Sequence, residues 1–160
     1  MSQRRVCRRR RRGASTVEMA LVAPLLITLL FAIFEIGYML WSFHAANQAA
    51  REGTRAAATG ATLSAIDTRI RGSSTAIDTS QITWSGAYRV PSGGAWSAWA
   101  TLGNVGSGAD VRNNAPSGSQ VRIEITYPHH LVCGPLFARF ASAGTPGVVN
   151  LRARLIMRRE

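Results

Sequence analysis

Lysine is absent from this chain, and its eight acidic residues stand against nineteen basic ones, all of them arginine. Beyond the apolar segment the carboxylates are Glu52, Asp67, Asp78, Asp110, Glu124 and Glu160, with none paired at close spacing for general acid–base work. Ser142 and the other serines lack the sequence context of a nucleophile elbow. Cysteine is scarce, with Cys7 and Cys133 alone. His129, His130 and Cys133 come close together, but their spacing matches no standard metal site and no fourth ligand is evident. The histidines are expected in a turn after a strand that ends at Tyr127-Pro128. These shortages exclude most catalytic chemistry, and we expect a non-enzyme with no cofactor and no metal.

The net charge of +11 suggests a nucleic-acid binder until its position is considered. Seven arginines lie between Arg4 and Arg12, which leaves +4 for the rest of the chain. Such a run fits a nucleic-acid arm, a twin-arginine export signal, or the cytoplasmic flank of a membrane helix. The third reading is preferred, because an apolar run begins within a few residues. No nucleic-acid partner is therefore expected. From Met19 to Trp41 the chain is apolar apart from Glu35. As a helix this stretch spans roughly 33 Å, close to the hydrocarbon thickness of a bilayer. A secretory signal has a shorter apolar core, and no small-x-small cleavage pattern directly follows this one. Tyr38, Trp41 and Phe43 gather where an interfacial aromatic belt belongs. With the arginines inside, Cys7 is cytoplasmic and Cys133 outside, which argues against an intrachain disulfide. Cys133 is then a buried small residue or a cross-link to another chain, with burial favoured.

Residues 1–13 read as a basic cytoplasmic leader. Residues 14–60 read as a transmembrane helix that continues out of the membrane as a stalk. Residues 61–160 read as a small exported α+β domain. Ser15 or Thr16 is the expected helix cap, with Glu18 in the first turn, and Pro24 is expected to kink the helix. Past the apolar run, Ala45, Ala49, Gly53 and Ala57 recur every four residues, with Ala46, Ala50, Thr54 and Ala58 beside them. This stripe of small side chains suits close packing, although an alanine-rich sequence also serves helix propensity alone. Gly60 is the expected stop. Leu63, Ile66 and Ile70 predict a short helix over 62–71 closed by Gly72.

The remainder reads as β. Gln81–Trp84 is a strand ending at Ser85-Gly86, and Ala87–Val90 is another, stopped by Pro91. Ser92–Gly118 is loop-rich, with many glycines and two tryptophans. Val121, Ile123 and Ile125 alternate with Arg122, Glu124 and Thr126 in the clearest strand. In the last strand Val149, Leu151, Ala153, Leu155 and Met157 face one way, and Arg152, Arg154 and Arg158 the other. These strands predict a small antiparallel sheet, with the small stripe of the long helix as its cover.

A basic leader, a glycine and an early glutamate before an apolar helix resemble type IV pilins and pseudopilins. The chain resembles one branch closely, the TadE-like proteins of the tight-adherence (Flp pilus) secretion system. Gly13 with Val17-Glu18-Met19-Ala20-Leu21 and Pro24 carries the resemblance. So do Glu35-Ile36-Gly37-Tyr38, Ala49-Ala50-Arg51-Glu52-Gly53-Thr54-Arg55-Ala56-Ala57 and the closing Met157-Arg158-Arg159-Glu160. It implies a pilin-like fold and a minor pseudopilin or assembly factor. Its partners would be other pilins, the pilus assembly machinery, prepilin peptidase and the bilayer. It implies processing between Gly13 and Ala14, with Glu18 pairing with the N-terminal amine of a neighbouring subunit. Glu35 matches an acidic position of the family; a carboxylate there is costly in lipid, so it either makes a helix–helix contact, with Gly37 permitting close approach, or snorkels outward, and the contact is preferred. The alternative is a signal-anchored binding module that uses Trp84, Trp96 and Trp99 as ligand contacts; those tryptophans serve equally as core.

Overall fold

The computed structural model describes residues 10–74, 77–132, 134 and 147–160, and of residues 10–12 and 14 the backbone alone. The chain falls into two compact units, Met1–Gly37 and Tyr38–Glu160. Helix α1, Arg10–Ala58, contributes to both.

In the first unit α1 already includes Arg10, so Ser15 and Thr16 lie inside the helix and do not cap it. Arginine is a good helix former, so nothing in the basic run stops helical winding short of Ser15. The helix passes through Pro24, and Thr28 Oγ1 donates to the Pro24 carbonyl at 2.8 Å. Val17, Leu21, Leu25, Phe31 and Phe34 are exposed. From Ser15 onward α1 is long and apolar enough to cross a membrane.

In the second unit α1 carries its small residues inward. Ala46, Ala49, Ala50 and Ala57 are fully buried, and Ala45 nearly so. The helix ends in a Schellman turn: Ala61 N–H donates to the Ala56 carbonyl and Gly60 N–H to that of Ala57, both at 3.1 Å. Gly60 makes this turn at φ +86°, a conformation that a side chain disfavours. Helix α2, Leu63–Gly72, starts at Thr62, whose Oγ1 accepts from Ala65 N–H at 3.2 Å. It buries Ile66 and Ile70.

Four strands form one antiparallel sheet in the order β4-β1-β7-β8. They are β1 (Thr83–Arg89), β4 (Ala100–Thr101), β7 (Gln120–His130) and β8 (Val148–Arg158). Two small ladders, β2 (Pro91–Ser92) with β3 (Ala95–Trp96) and β5 (Asn104–Val105) with β6 (Arg112–Asn113), lie in the stretch expected to be loop. Gly93 and Gly94, both at positive φ, supply the two-residue turn between β2 and β3. Residues Val121, Ile123, Ile125 and Tyr127 of β7 and Leu151 and Ala153 of β8 are buried. They form a single core with the small stripe of α1 and the isoleucines of α2. The α+β architecture, a long N-terminal helix and a small antiparallel sheet, is as the sequence predicts.

Three boundaries differ from expectation. Gln81 belongs to a 3₁₀ turn, Thr79–Gln81, because the Asp78 carboxylate accepts from Ser80 N–H at 3.0 Å and holds the chain in a turn. The two strands expected on either side of Ser85-Gly86 are one, β1. Leu102 packs closely over Gly86, where a Cβ would sit 3.0–3.1 Å from its side-chain atoms. The strand expected to end at Pro128 continues to His130. Leu131 N–H donates to the Gly147 carbonyl, so the odd-numbered residues of β7 point their N–H groups at β8. The Pro128 nitrogen faces the other side, where β1 has already ended opposite Thr126. A proline there costs no ladder bond.

Candidate functional site

The residues singled out along α1 fall into three surroundings. Gly13 and Glu18 are exposed, and nothing lies within 4 Å of a Cβ built on Gly13. Both sit on helical backbone, as does Ala14, whose side chain is outside the described residues. Glycine disfavours helix by about 1 kcal/mol relative to alanine. Further along, Glu35 is 7% exposed among exposed apolar neighbours, while Gly37 is exposed with open space around it.

The stripe of Ala45, Ala49, Gly53 and Ala57 is buried throughout. Gly53 is its closest approach: a Cβ there would stand 2.5 Å from Ile70 Cγ1 and 2.8 Å from its Cδ1. Any larger residue at 53 must displace the Ile70 side chain.

Below the stripe, the C-terminal end of α1 is tied by a polar lock. The buried Asn113 donates from Nδ2 to the carbonyls of Ala57 at 2.8 Å and Ala61 at 3.0 Å. The Arg159 guanidinium donates to Asn113 Oδ1 at 2.8 Å and to the Ala115 carbonyl. A cation beside the last carbonyls of a helix also suits its dipole. Burial, then the nearby Arg112, holds the Arg159 pKa below its ordinary value. Nothing in the local sequence marks Asn113 for this role; the arginines before the C-terminus are the one visible signal.

Consecutive residues of a strand point to opposite faces, and this separates the two histidines. His129 is buried, its ring 4.9 Å from that of Tyr38, and His130 is exposed. Both therefore lie in β7 and not in the turn expected after Pro128. Cys7, Cys133 and Ser142 lie outside the described residues. Among the described residues no three His, Cys, Asp or Glu side chains group as metal ligands.

The three tryptophans also divide. Trp84 is half-buried on the core side of β1 and donates from Nε1 to Asp67 Oδ1 at 2.8 Å. Asp67 also accepts from Arg71 Nε at 2.9–3.0 Å, and chiefly this bond holds its carboxyl below the ordinary range. Trp96 and Trp99 stack on arginines instead. The Arg89 guanidinium lies 5.2 Å from the Trp96 ring and 4.7 Å from Trp99, and Arg122 lies 4.3 Å from Trp99. Each such pair contributes about 0.5–1 kcal/mol at an exposed site. The sequence does not reveal this cluster, because Arg89, Trp99 and Arg122 meet only through the strand register.

The family model for TadE-like proteins matches residues 13–55. The matched segment lies wholly within α1. No curated protein and no solved structure matches the chain.

Proposed function

We propose that this protein is a minor pseudopilin or assembly factor of a tight-adherence pilus, held in the bacterial cytoplasmic membrane by α1. The observation that carries this reading is a coincidence: the TadE-like segment, residues 13–55, contains the whole of the apolar, largely exposed run of α1, Met19–Trp41. Exposed leucine, isoleucine and phenylalanine in such number have a favourable home in lipid or against other apolar helices. The arginine run sets orientation, with the N-terminus in the cytoplasm and the sheet outside.

In this reading residues 1–13 are a leader, 14–60 the anchor and stalk, and 61–160 the exported domain. Prepilin peptidase cuts between Gly13 and Ala14, where a glycine, with no Cβ and a low helix propensity, lets the backbone enter in an extended form. The cut leaves Glu18 as the fifth residue of the mature chain, poised to pair with the new amine of a neighbouring subunit. Each charge is expensive near lipid, and pairing offsets the cost for both. The helix face at Gly37, exposed with open space around it, makes a second contact with other pilins in the membrane, and the contact draws on Glu35 once that carboxylate turns outward from its buried position. The stripe at Ala45, Ala49, Gly53 and Ala57 serves the protein's own packing. The chain acts through partners, the other pilins and the assembly machinery, and carries out no chemistry.

N-terminal sequencing of the protein purified from its native membrane tests the processing step. The expected first residue is Ala14. A native protein that retains Met1 or Ser2 while the pilus machinery is present would make it an uncleaved, anchored assembly factor.

A further inference from the structure

The outer face of the sheet, turned away from the core, is strongly basic. Residues directly opposite in the register share a face, so Arg89 joins Gln120 and Arg158, Arg122 joins Ile156, Glu124 joins Arg154, and Thr126 joins Arg152. Among the described residues this face carries five arginines and one carboxylate, Glu124, which Arg154 already pairs at 3.1 Å. Three of the five arginines lie on β8, the last strand in the sheet order, and no described strand pairs with its second edge.

The backbone of β8 adds a second, independent feature. Arg159 N–H donates to the Ser119 carbonyl, and Leu131 N–H to that of Gly147, so odd-numbered residues of β8 spend their hydrogen bonds on β7. The even-numbered residues Arg152, Arg154, Ile156 and Arg158 direct theirs at the outer edge. The same four residues put their side chains on the basic face. Edge amides therefore recur every second residue, about 6.8 Å apart, and three of these four residues carry a guanidinium group. An extended peptide chain has this repeat in its own backbone and in its alternate side chains. Charge excludes a second copy of this chain as the occupant, because an antiparallel copy would set arginine against arginine.

We infer that the outer edge of β8 docks an extended acidic segment of a partner protein, which adds a strand to the sheet. Its backbone pairs with residues 152–158. Carboxylates at alternate positions meet Arg152, Arg154 and Arg158, and an apolar side chain lies over Ile156, which is 45% exposed. A strand-adding peptide takes its affinity from main-chain bonds and its specificity from alternate side chains. A nucleic acid or another phosphate polymer would satisfy the arginines but leave the edge amides unused.

The test uses the full-length protein in lipid nanodiscs. Four probes are titrated: a glutamate–threonine alternating peptide, a lysine–threonine peptide, the glutamate peptide N-methylated on alternate backbone nitrogens, and a single-stranded oligonucleotide. The expected result is saturable binding of the first peptide alone, with amide exchange at Arg152, Arg154, Ile156 and Arg158 slowed at least about tenfold. Exchange at odd-numbered β8 positions should not change. The double variant Arg152→Gln, Arg158→Gln should weaken binding by about tenfold or more. Ile156→Pro should abolish it while leaving the β7 ladder and the melting temperature intact, since it removes a donor from the outer edge alone. Equal binding of the N-methylated peptide or of the oligonucleotide would overturn the inference in favour of a general polyanion surface. Absence of binding by the glutamate peptide would overturn it outright.

Discussion

Asn113 and Gly53 fix the long helix to the sheet domain by opposite means, one by polar reach and the other by absence. Asn113 satisfies two carbonyls at the end of α1 and is in turn held by Arg159. Its replacement by alanine strands buried acceptors and a guanidinium, at a cost of about 2–3 kcal/mol. Urea unfolding followed by tryptophan fluorescence should show that loss. Asn113→Asp separates the two ends of the lock, for it keeps an acceptor for Arg159 and loses both donors to the helix. It should therefore destabilise at least as much as alanine if the helix carbonyls are what matters. At Gly53 the expected direction runs against helix propensity. Alanine there favours the helix by about 1 kcal/mol. It also forces a Cβ into Ile70, an overpacking of about 1–3 kcal/mol. Gly53→Ala should lower the unfolding midpoint, and relief by the double variant Gly53→Ala, Ile70→Val would identify the clash as the cause. A midpoint raised by the single variant would mean that Ile70 moves aside freely.

At the scale of elements, α2 and β1 are joined by the Asp67 carboxylate, which accepts from Arg71 and from Trp84. The Arg71 bond lowers the folded pKa of Asp67 below that of the unfolded chain. The link therefore stabilises fully above the unfolded value, ordinarily about 3.9, and is lost as pH falls through the lower, folded value. Acid titration of Trp84 fluorescence should show a transition below about pH 4 that disappears in Asp67→Asn. A transition that persists in the variant would assign it elsewhere. The elements themselves were unequally legible in the sequence. The apolar run and the small stripe announce α1, because both are local patterns with a helical or membrane meaning. Strands β7 and β8 announce themselves by alternation. The continuity of β1 through Gly86 was hidden, because glycine reads as a strand end, and Leu102, which packs over it, belongs to a later segment. Pro128 misleads in the same way, since only the strand order shows that its nitrogen faces an open side. The arginine and tryptophan cluster and the Asn113 lock were illegible for a related reason: each joins residues from distant segments, and no local pattern encodes the register that unites them.

For the whole molecule, the decisive question is what the N-terminal end of α1 does if the proposed processing removes the leader arginines. A cut after Gly13 removes seven arginines and lowers the net charge from +11 to +4. It also places a new amine four residues before Glu18, on the same exposed helical end. Two roles for Glu18 then separate. As a helix-dipole partner it contributes about 0.3–1 kcal/mol, and its loss should leave assembly nearly untouched. As the partner of a neighbouring subunit's amine it should leave cleavage intact and control association. Glu18→Gln is accordingly expected to yield protein that begins at Ala14 but co-purifies poorly with the other pilins. Gly13→Leu is expected to keep the leader attached, because the added side chain obstructs entry of the backbone into the peptidase. Mass spectrometry of the two variants, with co-purification measured beside it, reads both steps. Normal co-purification of cleaved Glu18→Gln would reduce Glu18 to its local role in the helix. Normal cleavage of Gly13→Leu would move the processing site away from Gly13. Because each variant reports on a different step, failure of one leaves the other interpretable, and maturation is tested apart from assembly.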